Sequence, residues 1–211
     1  MHSHIVGQTE AGKGCLAKQL AQQLIDKGQT VAVLEPLGDK WPATYQTDNV
    51  AEFDDYLRSH RNVYAFIDEC GDFFDEGRDK TYAWFATRSR HYGHSVCFIS
   101  QRVIQLPRTM RDQCQRMYVF TSSADDGAIL ANEWNKPILA ESNTYPQFTF
   151  YVVSRFDLCK RMKIEGYSQI VEYPNDDRNN REPRNTRRTR GNRNAGDGSS
   201  QGEKGRKDDG Q

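Results

Sequence analysis

The clearest chemical pattern in the sequence lies near its first residues. Positions 7–13 read GQTEAGK, which matches GxxxxGK between a short apolar strand and an amphipathic helix. Glycines let such a loop curl so that its N–H groups point at a phosphate, and the following helix adds its positive end. The pattern therefore predicts a nucleotide-phosphate loop in which Lys13 reaches the β- and γ-phosphates of ATP.

The predicted loop departs from the usual pattern directly after its lysine. Gly14 stands where Ser or Thr would give a hydroxyl to Mg²⁺, and the thiol of Cys15 is a poor ligand for this hard cation. We therefore expect water, phosphate oxygens and Asp68 alone to hold Mg²⁺, with a weaker Mg²⁺ dependence than usual. The residues predicted to bind the nucleotide are Gly7, Gln8, Thr9, Glu10, Ala11, Gly12, Lys13, Gly14 and Cys15.

A second pattern consists of paired carboxylates at the end of an apolar run. Residues 63–67, VYAFI, have the continuous apolar character of a strand buried on both faces, and Asp68 and Glu69 follow at once. The arrangement predicts that Asp68 orients the Mg²⁺ shell and that Glu69 polarises the water that attacks the γ-phosphate. The alternative interpretation is that two acidic residues simply end a buried strand at a loop.

A third pattern is an apolar strand whose last residues become polar, VCFISQR at 96–102. In a parallel sheet this end lies beside the γ-phosphate, where the Gln101 amide can sense hydrolysis; the alternative is an ordinary strand terminus. Arg90 precedes this strand and Arg116 enters the next one. Either arginine is a candidate finger for the nucleotide of a neighbouring subunit, and either could equally be a surface ion-pair residue.

Short apolar runs that alternate with amphipathic segments predict an α/β fold with a mostly parallel sheet flanked by helices. Asp48 is the expected cap of the second helix. The last two strands are expected to form a hairpin at one edge of the sheet. The first predicted strand ends at residues 4–6, and the other predicted strands cover 30–34, 63–67, 95–100, 117–121, 148–153 and 160–164. The predicted helices cover 13–27, 48–57, 80–91 and 124–134.

Composition changes sharply after Tyr173, which divides the chain into a predicted ATPase domain (1–173) and a predicted disordered Arg-rich tail (174–211). The tail carries ten Lys and Arg against seven Asp and Glu, and the rest of the chain 19 against 22. The tail could bind phosphates or a capsid surface, or serve only as a solubilising linker. Any DNA contact by the slightly acidic domain must come from local patches.

Cysteines and histidines do not form a metal-binding pattern. The five cysteines are scattered singly, so neither a zinc cage nor a disulfide framework is expected. The pairs His2 and His4, and His91 and His94, lack further ligands at suitable spacing, and we expect all four to be structural or exposed. No long apolar run or signal sequence is present, which favours a cytosolic protein.

The segments RHYG at 90–93, VCFISQR at 96–102 and QRMYVFTSSADDGAIL at 115–130 resemble the corresponding parts of FtsK–HerA P-loop ATPases. The resemblance spans roughly residues 5–165 and implies a RecA/FtsK-like fold. The short chain, the early phosphate loop and the lack of a membrane anchor make it most similar to the genome-packaging ATPases of membrane-containing icosahedral (tectivirus-like) viruses. That resemblance implies ATP and Mg²⁺ as cofactors. It also implies the site roles given above for Lys13, Asp68, Glu69 and Gln101, with Arg90 or Arg116 as finger.

The same resemblance implies a homo-oligomeric ring, commonly of six subunits, that drives double-stranded DNA into a preformed capsid. The expected locations are the host cytoplasm during assembly and the packaging vertex of the virion, with possible contact to an inner membrane through other proteins. Two connectors, 71–80 and 103–113, are candidate DNA contacts or plain exposed loops.

Two other functions compete with a motor. The GKG of residues 12–14 resembles the phosphate loop of nucleoside monophosphate kinases, although those enzymes follow it with Thr, which here is Cys15, and lack a DE pair at this position. A virion protein that binds ATP as a non-hydrolysing conformational switch is the second alternative.

Overall fold

One mixed sheet organises the chain in the computed structural model, which describes residues 1–74, 83–156, 158–166 and 169–172. The predicted tail (174–211) lies outside the described residues. The strands are β1 (His2–Val6), β2 (Val31–Leu34), β3 (Tyr45–Thr47), β4 (Tyr64–Ile67), β5 (Ser95–Ser100), β6 (Cys114–Val119), β7 (Thr149–Ser154), β8 (Cys159–Glu165) and β9 (Gln169–Glu172).

The strand order across the sheet is β3-β2-β4-β5-β1-β6-β7-β8-β9. The first six strands in this order run parallel, and β7, β8 and β9 continue the sheet in antiparallel pairs. The predicted fold class is confirmed, including the hairpin of β7 and β8. The parallel strands end at Val6, Leu34, Ile67 and Ser100 on one side, called the carboxyl edge below; the side where they begin is called the amino edge.

Helices cover both faces of the sheet. Short 3-10 turns lie at 70–72, 89–92, 103–105 and 137–144. The α-helices are α1 (Lys13–Asp26), α2 (Val50–Ser59), α3 (Trp84–Thr87), α4 (Arg108–Arg111) and α5 (Ala124–Trp134). Among the described residues, none of these helices is long and apolar enough to span a membrane.

The apolar core has two halves because strand side chains alternate between the faces. One half packs α1 against the sheet and contains Leu16, Val33, Phe66 and Ile99. The other half packs α2, α3 and α5 against the opposite face and is centred on side chains such as Phe98. Thus α1, which begins directly after the phosphate loop, has one face of the sheet as its support.

Several local predictions need correction. The cap of α2 is Asn49, whose side chain accepts from the N–H groups of Ala51 and Glu52, because both Asp and Asn suit this position and Asn49 is one residue nearer the helix. Strands β3 and β9 were not predicted. The described part of the predicted helix 80–91 forms α3 and a 3-10 turn; residues 80–82 lie outside the described residues.

Of the four histidines considered as metal ligands, His2, His4 and His94 are buried and hydrogen-bonded, and His91 is exposed. His2 accepts from the N–H of Val96, and His94 accepts from the N–H of Val63. Burial lowers the pKa of His2 to about 4 and that of His4 to about 3, so both rings are neutral at pH 7. These rings therefore act as hydrogen-bonding core residues.

Candidate nucleotide-binding site

The phosphate loop lies at the carboxyl edge, between β1 and α1. Gly7 has φ 156° and Gly12 has φ 115°, values that L side chains rarely adopt. A Cβ on Gly7 would lie 2.6 Å from the Cβ of Phe120, and one on Gly12 would lie 2.8 Å from the Phe148 ring. Both positions need glycine, for conformation and for space.

Neighbouring strands fix the loop from outside. The N–H of Gln8 donates to the carbonyl oxygen of Thr121 at 2.7 Å. On the other side the N–H of Phe148 donates to the carbonyl oxygen of Ala11 at 3.0 Å. Since the first amides of α1 have no acceptor within the helix, this fixed loop presents N–H donors to an anion.

Lys13 is buried at the start of α1, with 8% of its surface exposed. Its Nζ donates to the carbonyl oxygen of Gln8 at 2.9 Å, within the loop itself. Burial lowers the pKa of Lys13, while the negative charges of Glu69 and Asp68 act in the opposite direction. The ammonium group is therefore held in the loop, where the charges of Asp68 and Glu69 act on it. A nucleotide phosphate bound in the loop would contact it.

Asp68 ends β4 on the α1 face of the sheet. Its N–H continues the ladder by donating to the carbonyl oxygen of Leu34 at 2.9 Å, and its Oδ1 accepts from the N–H of Glu69 at 3.0 Å. Burial, together with the neighbouring carboxylates of Glu69 and Glu35, raises the pKa of Asp68 to about 6, while the N–H of Glu69 and the charge of Lys13 act in the opposite direction. A carboxylate in this setting is stabilised by a cation.

Glu69 lies in a chain of hydrogen bonds that leads back to the phosphate loop. Its backbone has φ 44° and ψ 49°, a left-handed conformation uncommon for a residue with a side chain. Both of its carboxylate oxygens accept from Nε2 of Gln101, at 3.0 and 3.2 Å, and the Thr9 hydroxyl donates to Oε1 of Gln101 at 3.3 Å. The predicted water-polarising residue and the predicted sensor are thus in direct contact.

Two supporting contacts were not predicted from the sequence. Oε1 of Gln105 accepts from the N–H groups of Gln101 and Arg102, at 2.9 and 2.8 Å, and so fixes the backbone of the sensor. Nε of Arg102 lies 3.3 Å from Oδ2 of Asp126, whose side chain is buried. The sequence signal was weak, because Gln105 is a single polar residue five positions beyond the end of β5, with no periodicity that marks it.

Arg90 and Arg116, the candidate trans fingers, lie at the amino edge. Arg116 pairs with Ser3 in the ladder between β6 and β1, and the charge of Arg90 acts on His2. At about 3.3 Å per residue, the length of β1 separates them from the loop. Neither touches the phosphate loop of its own chain, so their predicted role depends on a neighbouring subunit.

The residues present fit a nucleotide-bound divalent cation. No three Asp, Glu, His or Cys side chains within the described ranges converge as a preformed metal site. Mg²⁺, however, commonly binds one or two carboxylates together with phosphate oxygens and water. Asp68 supplies such a carboxylate, and an oxygen of Glu35 is buried nearby with no hydrogen-bond partner in the described part of the chain. A Cβ on Gly14 would meet nothing within 4 Å, which leaves space beside the loop.

Together these residues can bind a triphosphate, neutralise it and orient a water molecule beside its terminal phosphate. A phosphate loop between a parallel strand and a helix, with Asp68 and Glu69 two strands away, defines the P-loop NTPase class. The chain belongs to the zonular occludens toxin (Zot) family, whose model matches residues 15–129, more than half of the chain. The Zot domain is FtsK–HerA-like, so the resemblance inferred from the sequence is confirmed. No curated protein sequence matches the chain.

Solved structures share the fold at low sequence identity. Genome packaging NTPase B204 from Sulfolobus turreted icosahedral virus 2, in complex with AMP, has TM-score 0.62 and 15% identity, covering 82% of this chain and 96% of that chain. VirB4 of Thermoanaerobacter pseudethanolicus has TM-score 0.63 and 10% identity, with coverages of 78% and 89%. The cytoplasmic domain of the Thermomonospora curvata type VII secretion ATPase EccC has TM-score 0.56 and 11% identity, with coverages of 77% and 23%.

Proposed function

We propose that this chain hydrolyses ATP to drive double-stranded DNA into a preformed viral capsid. The observation that carries the proposal is the hydrogen-bonded chain from Thr9 through Gln101 to Glu69, beside Lys13 at the carboxyl edge. Support for the packaging role comes from the fold shared with B204, a genome packaging NTPase solved with AMP, AMPPCP and ATP-gammaS.

Each side chain of the site has a chemical role in this proposal. Lys13 exchanges its bond to the Gln8 carbonyl oxygen for contacts with the β- and γ-phosphates, and the loop amides donate to the same oxygens. Glu69 orients and polarises the attacking water. Gln101 holds Glu69 before ATP binds and signals the loss of the γ-phosphate through Thr9.

Asp68 would hold Mg²⁺, which when bound neutralises charge on the phosphates. The contribution of the protein is a carboxylate placed at the right edge of the sheet and a loop that leaves room at Gly14. The monophosphate kinase alternative has less support, because those enzymes lack the pair of carboxylates, Asp68 and Glu69, that here follows β4.

Contacts with DNA would come from the connectors at the carboxyl edge. In 103–113, Arg108 is exposed, whereas Arg111 is buried in an ion pair with Glu133 at 2.6 Å. Arg108 is therefore the better candidate for a phosphate contact, and Arg111 is not available. Most of the other candidate connector, 71–80, lies outside the described residues. In the same proposal the chains form a ring in the host cytoplasm and at the packaging vertex of the virion.

Product analysis tests this function. Purified protein with Mg²⁺ and ATP should release inorganic phosphate, and double-stranded DNA should increase the rate more than single-stranded DNA of equal nucleotide concentration. Transfer of phosphate that requires a nucleoside monophosphate would instead identify a kinase. ATP binding without turnover, with DNA and capsid protein present, would identify a switch.

A further inference from the structure

Glu35 occupies the same place on β2 that Asp68 occupies on β4. Leu34 pairs with Ile67 in the parallel ladder, and each carboxylate is the next residue. The N–H of Glu35 still donates to the carbonyl oxygen of Thr47 at 3.0 Å, so the extended backbone continues through Glu35. Because Val33 and Phe66 lie in the core half beneath α1, alternation places both carboxylates on that face too.

The side chain of Glu35 is buried but only half satisfied. Its exposed fraction is 2%. Oε1 accepts from the N–H of Leu37 at 2.8 Å and so closes the turn after β2. Oε2 is fully buried and accepts no hydrogen bond within the described part of the protein. A buried carboxylate oxygen without a partner is costly, and such atoms in native folds commonly mark a missing ion or water.

The two carboxylates are also close enough to interact. Adjacent strands lie about 4.8 Å apart, so side chains at the same level on one face are neighbours. The charge of Glu35 accordingly acts on Asp68. Within the described residues neither carboxylate has a basic nitrogen within 4.0 Å. The charge of Lys13 acts on Asp68 without reaching that distance, so a cation beside the two carboxylates would stabilise both.

We propose that Glu35 is a second carboxylate of the cation site: it accepts hydrogen bonds from water bound to the divalent cation that Asp68 contacts. This inference rests on the proposed nucleotide function. An outer position for Glu35 agrees with the absence of three converging ligands in the described residues and with the tendency of Mg²⁺ to keep its water. It also gives a cation-bound water molecule a protein acceptor, at a site where Gly14 offers the cation no hydroxyl.

Mn²⁺ binding tests the proposal without turnover. It is measured by electron paramagnetic resonance as the loss of the free Mn²⁺ signal. The full chain is titrated with a non-hydrolysable ATP analogue present, as wild type, Glu35→Gln and Glu165→Gln. The first variant keeps an oxygen for the Leu37 N–H, and the second removes an exposed carboxylate on β8 as a matched control. We expect Glu35→Gln to weaken Mn²⁺ binding about 10- to 100-fold, and the control to match wild type.

Analogue binding in EDTA separates this inference from the proposed function. We expect wild type and Glu35→Gln to bind the analogue without metal equally well, within about twofold, because the loop is intact. Equal Mn²⁺ affinity of the two proteins would overturn the role of Glu35 and leave nucleotide binding standing. A wild-type chain that binds no analogue under either condition would overturn both.

A second variant covers the case in which Glu35→Gln does not fold, which the absence of a cooperative unfolding transition would show. Glu35→Asp keeps the charge but withdraws the carboxylate by one methylene, and it should weaken Mn²⁺ binding by less than Glu35→Gln, about three- to tenfold. Wild-type Mn²⁺ affinity in a folded Glu35→Asp protein would count against the proposal.

Discussion

The two edges of the parallel sheet both bury polar side chains but differ in the charge of those side chains. At the carboxyl edge, Lys13, Asp68 and Glu35 are wholly or partly buried, and Oε2 of Glu35 has no hydrogen-bond partner among the described residues. At the amino edge, the buried rings of His2 and His94 accept backbone N–H groups. Among the described residues, Nε2 of His2 at the amino edge and Oε2 of Glu35 at the carboxyl edge both lack a hydrogen-bond partner, but the His2 ring is neutral whereas the carboxyl edge combines a lysine with carboxylates.

The amino edge also has a cavity, of about 410 Å³, between the sheet and the second half of α1. Its lining includes Arg116, Tyr118 and Lys27. Space alone therefore does not identify the site. What distinguishes the carboxyl edge is that the carboxylates of Asp68 and Glu35 have no basic nitrogen within 4.0 Å among the described residues.

The largest difference between the edges should be seen with Lys13, the first residue of α1, and Lys27, which directly follows the helix. Lys13→Ala should weaken ATP binding about 100-fold or more, because it removes a charge-assisted contact to phosphate. Lys27→Ala, at the other end of the helix, should bind ATP like wild type. Isothermal titration of both variants measures this, and equal affinities would remove the basis for placing the site at the loop.

The edges should also differ in the role of amides. Gln101→Ala should slow ATP hydrolysis about 10- to 100-fold with little change in ATP affinity, because it frees the carboxylate of Glu69. The matched control is Gln115→Ala on β6 near the amino edge, where the side chain is exposed. Steady-state phosphate release compares them; a Gln101→Ala protein as active as the control would exclude a sensor role.

The carboxylate of Asp68 at the carboxyl edge should lower the free energy of unfolding in the absence of ligand. The pKa of Asp68 rises from 3.8 to about 6 on folding, so the native state holds a proton that the unfolded state has lost between these values. Stability should therefore fall as pH rises from about 4 to 6. Asp68→Asn should raise the free energy of unfolding by about 1–2 kcal/mol at pH 8 in EDTA, and by almost nothing at pH 4. Urea unfolding at pH 8 and pH 4 measures the difference in free energy of unfolding between Asp68→Asn and wild type. A difference that is equal at the two pH values would contradict the titration of Asp68 as its cause.

The smallest effect is expected from the two arginines of the amino edge. Arg90→Ala and Arg116→Ala should leave ATP affinity of the isolated chain within about twofold of wild type, since neither contacts its own loop. Turnover of assembled protein provides the contrast: a loss seen only on assembly, and restored by mixing with Lys13→Ala chains, would support a finger role in trans. A loss of ATP affinity in the isolated chain would contradict the position of the two arginines at the amino edge, away from their own phosphate loop.

Much of the fold could be predicted because its central strands are continuous apolar runs bounded by chemically distinct residues. The loop from Gly7 to Lys13 and the pair Asp68 and Glu69 were predictable for that reason. The three-residue edge strand β3 was not, because so short a segment has no periodicity. The sequence could predict that Gln101 and Glu69 lie near one edge of the sheet, but not that their side chains are hydrogen-bonded.

Glu35 shows how a site residue escapes prediction. It ends the apolar run VAVL as Asp68 ends YAFI, and this similarity is the signal that could have identified it. A single acidic residue after a strand is, however, also the usual start of a turn, and Glu35 does close one. Only burial and the unpartnered oxygen distinguish the two roles.

Single-turnover hydrolysis by Glu69→Gln, with protein in excess over Mg²⁺ and ATP, tests the central claim most directly. The account predicts wild-type ATP affinity together with a hydrolysis rate lowered about 10²- to 10⁴-fold, because the amide still fits beside Gln101 but cannot polarise water. A Glu69→Gln protein that hydrolyses bound ATP at the wild-type rate would contradict it.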